Sequence, residues 1–342
     1  MQQAIKLTLA ALAAGAIGQA AHGRELQAYA GVVAGIAQGS GGPFACATSG
    51  PTIGNGWFAG LTLPTEGFAG CSLGGGIDNR SALSGPLVAA QTGGGAVSGG
   101  SYGGSARARA GYWSLGVQAD GTMTGATSPF TYHQSAAFAR FADTLTLSAP
   151  GIATGTAGVI DFSFLIEGAL TSLPNAPYSQ QGDIALGIRV GGGSSGPWYA
   201  FLGTVINDNL PFVRGGSSGL PGGFVLAPGS LSGSASVRST AGFGFQWGVP
   251  FQVEVALLTS VYPCCNGATV AAGFLDTARL DGIRAGTAAG LVDGFSVVAE
   301  SGAQLGPQGL APIPEPAPAA MLLAGLAALA GHGRLRRLTR RT

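Results

Sequence analysis

Lysine is almost missing from this 342-residue chain. Lys6 is the only one, so nearly all basic charge is carried by arginine. Charged residues make up only 9% of the sequence. Between residues 24 and 313, ten arginines stand against fourteen acids, which leaves about −4; the formal +1 of the whole chain comes from Lys6 and five arginines near the C-terminus. A mildly acidic body lacks the basic stripe that nucleic acid requires, so a nucleic-acid partner is excluded. Histidine is also scarce, with His133 alone in the body. The four cysteines, Cys46, Cys71, Cys264 and Cys265, are 25 and 1 residues apart within their pairs. Structural zinc wants paired Cys or His two to four residues apart, so no metal is expected, and no cofactor motif is present. Gly242-x-Gly244 lies within an aromatic strand rather than before a helix and is no dinucleotide fingerprint. No stretch sustains a helical period over three turns, except weakly Ala136 to Ala142.

Glycine, by contrast, is abundant, at 62 residues, far above the usual ~7%. No G-X-Y period runs through it, which excludes collagen, and there is no internal repeat. The 46% hydrophobic content is too high for a disordered chain. Glycine therefore marks tight turns in a folded body large enough to bury a core. Strands follow from period-two alternation. Ile160, Phe162, Phe164 and Ile166 alternate with Asp161, Ser163, Leu165 and Glu167; Ile184, Leu186, Ile188 and Val190 form a second set. Phe243, Phe245 and Trp247 lead through Gly248 and Pro250 into Phe251, Val253, Val255 and Leu257. Tyr112–Val117 and Trp198–Ile206 are further strands. Short alternating strands broken by Gly-rich turns predict an all-β, antiparallel β-sandwich ectodomain.

The two ends differ from the body. Lys6 precedes an apolar run from Leu7 to Ile17, followed by the small residues Ala20, Ala21 and Gly23. That is a secretory signal peptide over 1–23, with cleavage after Ala20 or after Gly23. At the other end come a Pro-rich linker (306–316), an apolar helix over 317–333 and an Arg-rich tail (334–342). An apolar segment in a bilayer satisfies its own hydrogen bonds as a helix. Arg334, Arg336, Arg337, Arg340 and Arg341 hold the tail on the cytoplasmic side, so the body at 24–305 lies outside.

The order Pro314-Glu315-Pro316, apolar run, arginine cluster closely resembles the PEP-CTERM sorting signal of Gram-negative bacteria. The resemblance implies an exosortase-type enzyme as partner, transient residence in the inner membrane, and delivery to the cell surface, outer envelope or extracellular matrix. It also implies a possible exopolysaccharide partner. Within the body, Asp143-Thr144-Leu145-Thr146-Leu147 and the closing segment Gly294 to Gly302 look like the sandwich bodies common in such proteins. An exported chain permits disulfides. A Cys46–Cys71 bridge would close a loop of about 26 residues, worth roughly 3 kcal/mol in the chain-entropy account. A local Cys264–Cys265 bond accompanies it, in a turn read as a hairpin between Val253–Tyr262 and Ala268–Leu275. Two bridges from that turn to the N-terminal loops are the alternative.

Searches for chemistry come out weakly. Four G-x-S-x-G matches centre on Ser72, Ser101, Ser194 and Ser217, but a nucleophile elbow needs a strand-to-helix turn. The one formal triad, Ser101, Asp120 and His133, requires a base from a polar stretch that reads as solvated. Asp161 and Glu167 are about 20 Å apart along one strand, too far for a glycosidase pair. Asp276, Asp281 and Asp293 offer oxygen ligands without calcium-loop spacing. The four tryptophans, Trp57, Trp113, Trp198 and Trp247, fit core packing first and sugar stacking second. The expectation is an exported surface or matrix protein without catalytic activity, the alternatives being a carbohydrate-binding module and a secreted hydrolase.

Overall fold

Alternating apolar residues make strands because successive side chains point to opposite faces of the pleat. The computed structural model describes residues 24–36, 74–97, 99–125, 131–173, 181–191, 198–206, 209–213, 221–227, 229–239, 242–263 and 267–310. Nineteen strands lie among them and no helix. In chain order they are β1 (Glu25–Ile36), β2 (Gly74–Ala82), β3 (Leu87–Val97), β4 (Gly100–Gly111), β5 (Ser114–Gly125), β6 (Thr131–Ser148), β7 (Ala157–Leu173), β8 (Gln181–Val190), β9 (Trp198–Ile206) and β10 (Asn209–Val213). Then follow β11 (Phe224–Ala227), β12 (Ser230–Arg238), β13 (Phe243–Gln246), β14 (Phe251–Tyr262), β15 (Ala268–Thr287), β16 (Gly290–Leu291), β17 (Ser296–Ala299), β18 (Leu305–Gly306) and β19 (Gly309–Leu310).

Two antiparallel sheets form the body, as the alternation predicts. One runs β10-β9-β8-β14-β6-β1-β2, with β17 added on β6; the other runs β11-β12-β7-β15-β5-β4-β3, with β13 on β7 and β16 on β15. Their inner faces share one apolar core, to which β6 gives Ala137, Ala139 and Phe141, β14 gives Val253, Val255 and Leu257, and β7 gives Ile160, Phe162, Phe164 and Ile166. The β18–β19 hairpin packs beside β15, and Leu305 and Leu310 rest on the core, so the folded unit continues to Leu310.

Three sequence expectations need correction. The weakly helical Ala136–Ala142 is part of strand β6. Its pattern imitates a helix because both strand faces are buried: Ala137, Ala139 and Phe141 face the core, while Ala136 and Phe138 face a second cluster with Tyr29, Ala185, Ala256 and Leu258. The segments on either side of the Cys264–Cys265 turn are not a hairpin. β14 pairs with β6 and β8, whereas β15 pairs with β5 and β7, so the turn crosses from one sheet to the other. Tyr112 and Trp113 are a turn rather than the start of a strand, with β5 beginning at Ser114.

The buried outer face of the eight-stranded sheet carries a row of alternating charge. Across β1, β6, β14 and β8, Arg140 Nη1 donates to Glu25 Oε2 and Gln27 Oε1 at 3.0 Å each, and Arg140 Nη2 donates to Glu254 Oε2 at 3.1 Å. Arg189 Nη2 donates to the same Glu254 oxygen at 2.7 Å. Glu254 is buried, so both guanidiniums are needed to offset its lost hydration. Farther along the same face Gln134 Nε2 donates to Ser260 Oγ at 2.9 Å and to the Tyr262 hydroxyl at 2.7 Å.

A second buried carboxylate joins the sheets. Asp143 Oδ1 accepts the Thr144 N–H at 2.9 Å and the Ser301 N–H at 3.0 Å. Its Oδ2 accepts Trp113 Nε1–H at 2.9 Å and the Ser301 hydroxyl at 2.6 Å. Trp113 sits at φ 63°, the sole positive φ outside glycine among the described residues, in the turn between β4 and β5. Left-handed backbone costs an L-residue roughly 1–2 kcal/mol. Complete burial against Phe141 and Phe162, at ring-centre distances of 4.9 and 5.7 Å, together with the bond to Asp143 holds it there. The two body segments singled out in the sequence meet at this point: β17 pairs with β6 from Ser296↔Ser148 to Ala299↔Leu145, and Ser301 closes on Asp143.

Replacing Asp143 by Ala strands four donors, the buried Trp113 Nε1–H among them, and is expected to cost about 3–5 kcal/mol of unfolding free energy. Asp143→Asn, which keeps the shape but turns one acceptor into a donor, should cost about 1–3 kcal/mol. Urea unfolding followed by tryptophan fluorescence measures both; a loss below about 0.5 kcal/mol in each would show that the carboxylate does not tie the sheets.

Candidate functional site

The residues expected to carry sorting lie outside the described ones. These are Pro314, Glu315, Pro316, the apolar segment 317–333, the five tail arginines and the signal peptide; the four cysteines expected to form disulfides lie outside the described residues too. No helix among the described residues is long and apolar enough to cross a membrane.

The formal triad is not assembled. Ser101 and Asp120 sit on the outer face of the nine-stranded sheet, where Ser101 Oγ bonds Thr124 Oγ1 at 2.7 Å and Asp120 accepts a bond from Ser105. His133 points between the sheets from β6, on the other side of that layer. Ser72, Ser194 and Ser217 lie outside the described residues.

His133 is not the solvated side chain its polar neighbours suggest. It is completely buried. Two glycines on the facing sheet make its seat: a Cβ at Gly104 would come within 2.5 Å of His133 Nε2, and one at Gly121 within 2.8 Å. The Tyr102 ring lies 5.3 Å away, centre to centre. Nε2 and Ser135 Oγ share a hydrogen bond of 2.9 Å, and Nδ1 has no partner. Burial removes water from the imidazolium and lowers the His133 pKa to about 4. With Ser135 equally buried and no acid on Nδ1, this Ser–His contact has neither access nor an orienting group for nucleophilic catalysis. It is a packing element.

The aromatic residues divide similarly. Trp113 and Trp247 are core residues, each at most 1% exposed; Trp57 and the Trp198 side chain are not among those described.

The chemistry on the surface lies elsewhere, on the outer face of β7, β12 and β15. Asp161 on β7 stands opposite Arg284 on β15, and Ser163 stands opposite Arg238 on β12. The β15 register slips between Leu280 and Gly282, which leaves Asp281 as an extra residue against β7. Such a bulge bends the strand and re-aims a side chain. The bend is fixed from behind, since the Ile283 N–H donates to the Pro307 carbonyl in the β18–β19 turn at 3.1 Å. Asp281 is thereby carried to Ser236, whose hydroxyl donates to its Oδ2, and Ser236 is 2.9 Å from Ser163 Oγ. A cleft of about 490 Å³ opens here, with Asp293, Gln308 and the exposed Leu291 at its edge.

Of the acids expected to cluster, Asp281 and Asp293 do share this cleft, joined by Asp161; the Asp276 side chain is outside the described residues. No group of three or more His, Cys, Asp or Glu among the described residues is arranged to hold a metal. Arg238 and Arg284 stand in the same space. Partial burial pushes the Asp161 carboxyl above its ordinary value, and the attraction of these two guanidiniums offsets only part of that rise. Glu167 lies on the same face of β7 farther along and takes no part in the cleft. The trace of this site in the sequence was the alternation of Ser232, Ser234, Ser236 and Arg238 along β12, but which strands lie beside it follows only from the pairing.

No protein-family model, curated protein or solved structure matches this chain.

Two measurements test the histidine seat. The unfolded histidine titrates near 6.5 and the folded one near 4, so between these values the unfolded chain binds the extra proton. Stability is complete above about pH 6.5, falls by about 3 kcal/mol on the way to pH 4, and levels off below. His133→Asn should remove that slope while leaving the carboxylate-driven losses at lower pH. Gly104→Ala should cost about 1–3 kcal/mol by overpacking against the ring and the Asp120 carbonyl, read as a lowered denaturation midpoint.

Proposed function

We propose that this chain is an exported cell-surface or extracellular-matrix protein of a Gram-negative bacterium, sorted by a PEP-CTERM-type tail and without catalytic activity of its own. The observation that carries this is the three-part C-terminal order: a stiff Pro314-Glu315-Pro316, an apolar segment over 317–333, and five arginines beyond it. Proline keeps the preceding backbone extended, which presents a singly acidic handle at the membrane face. The arginines hold the far end in the cytoplasm. An exosortase-type enzyme is the partner that reads this handle, the inner membrane is a transient station, and the signal peptide at 1–23 provides export.

The body supports the same reading. It is an all-β unit that ends at Leu310, four residues before the handle. The segment Asp143–Leu147 and the closing segment Gly294–Gly302, chosen for their likeness to exported bodies, are bonded neighbours through β6 and β17. Carbohydrate binding is the second reading, and the cleft beside the β15 bulge favours it. Stacking on Trp113 or Trp247 does not, because both are core.

Mass spectrometry of the C-terminal peptide of mature protein, from cells with and without the processing enzyme, tests the sorting. The expected result is loss of the arginine tail only when the enzyme is present. An intact tail on mature protein in both strains overturns the proposal.

A further inference from the structure

We infer that the cleft beside the β15 bulge binds a saccharide bearing a carboxylate, a uronate-type sugar unit. The inference deepens the carbohydrate-binding reading and does not depend on the tail being processed.

The cleft holds two chemically distinct sets of groups, interleaved across β12, β7 and β15. Arg238 and Arg284 make no hydrogen bond or ion pair with any described residue, although Arg284 is opposite Asp161 and Arg238 opposite Ser163 in the strand register. Two guanidiniums project from neighbouring strands on either side of β7. Both line the cleft, and each guanidinium carries a planar N–H fork that suits a carboxylate. The groups of the second set are acceptors. Ser236 has a single proton, and it goes to Asp281. Ser163 must therefore donate the hydrogen bond that joins it to Ser236, which leaves the Ser163 oxygen free to accept. Asp281 Oδ1 and the Asp161 carboxylate are free acceptors beside it. These positions call for hydroxyl donors.

Simpler ligands satisfy only part of this. A plain anion meets the arginines but is repelled by Asp161 and Asp281. A neutral polyol fills the acceptors and leaves two guanidiniums unmatched. A cation suits the acids but faces both arginines. A ring that carries one carboxylate and a run of hydroxyls satisfies both sets at once. The cleft of about 490 Å³ falls within the usual 300–1,000 Å³ of small-ligand sites. Leu291, 70% exposed at its rim, offers an apolar surface for the C–H face of a sugar ring. The bulge makes the site: with regular pairing Asp281 would not be brought to Ser236.

The test uses the purified full-length chain in detergent, titrated by calorimetry with oligogalacturonate and, separately, with a neutral gluco-oligosaccharide of the same length. Binding of the uronate oligomer at least tenfold tighter than the neutral one is expected. The double variant Arg238→Gln, Arg284→Gln should lose at least tenfold in affinity for the uronate, and Leu291→Ser severalfold. Asp161→Asn, which removes the negative charge nearest the arginines, should bind the uronate at least as tightly as the parent. Unchanged thermal midpoints for these surface variants certify their folds. Equal binding of the neutral oligomer, full retention of uronate binding by the double arginine variant, or displacement by equimolar acetate or glycine would each overturn the inference. Because the titration reads binding alone, its failure leaves the sorting proposal standing, and an unprocessed tail leaves the binding result standing.

Discussion

A buried carboxylate without a counter-ion is tolerated only if every lone pair is filled. Asp143 meets that condition with four neutral donors from three places: its own strand, the turn between β4 and β5, and the turn after β17. Trp113 belongs to the nine-stranded sheet, while Ser301 follows a strand paired to the eight-stranded one. The carboxylate therefore fixes how the two sheets meet at that end. It also holds a tryptophan in a left-handed backbone that would otherwise relax. The aromatic packing of Trp113 on Phe141 and Phe162 follows from that placement.

The same rule governs the outer face of the eight-stranded sheet. Glu254 is buried and takes two arginines from flanking strands, and Arg140 in turn reaches Glu25 and Gln27. The charges alternate across four strands, so each is paired within hydrogen-bonding distance. His133 is handled differently. Its ring is accommodated by the absence of side chains at Gly104 and Gly121, and burial keeps it neutral. In each case a buried polar group is matched by specific residues on the elements packed around it.

The proposed function divides along the chain. The ends hold the segments on which the proposal of export and sorting rests. The body, ending at Leu310, carries a cleft whose donors and acceptors come from β7, β12 and β15. Neither depends chemically on the other. In the proposed reading the tail directs delivery and the cleft sets what the delivered protein holds.

Much of the strand content was legible in the sequence, because a sheet with one buried face writes its period into the chain: Ile160 to Ile166 in β7 and Phe243 to Gln246 in β13 are such stretches. Where both faces are buried the period disappears, and β6 read as a faint helix. The turn at Cys264 and Cys265 read as a hairpin because chain proximity does not reveal that its two strands join different sheets. The surroundings of His133, the donors around Asp143 and the cleft at Asp281 came only from tertiary structure. Each depends on residues tens of positions apart, brought together by strand register, and register is set by the whole core at once. The sequence by itself determined the sign of the charge and the class of fold, since local pattern and composition suffice for those, and the reading of the two ends rests on it alone.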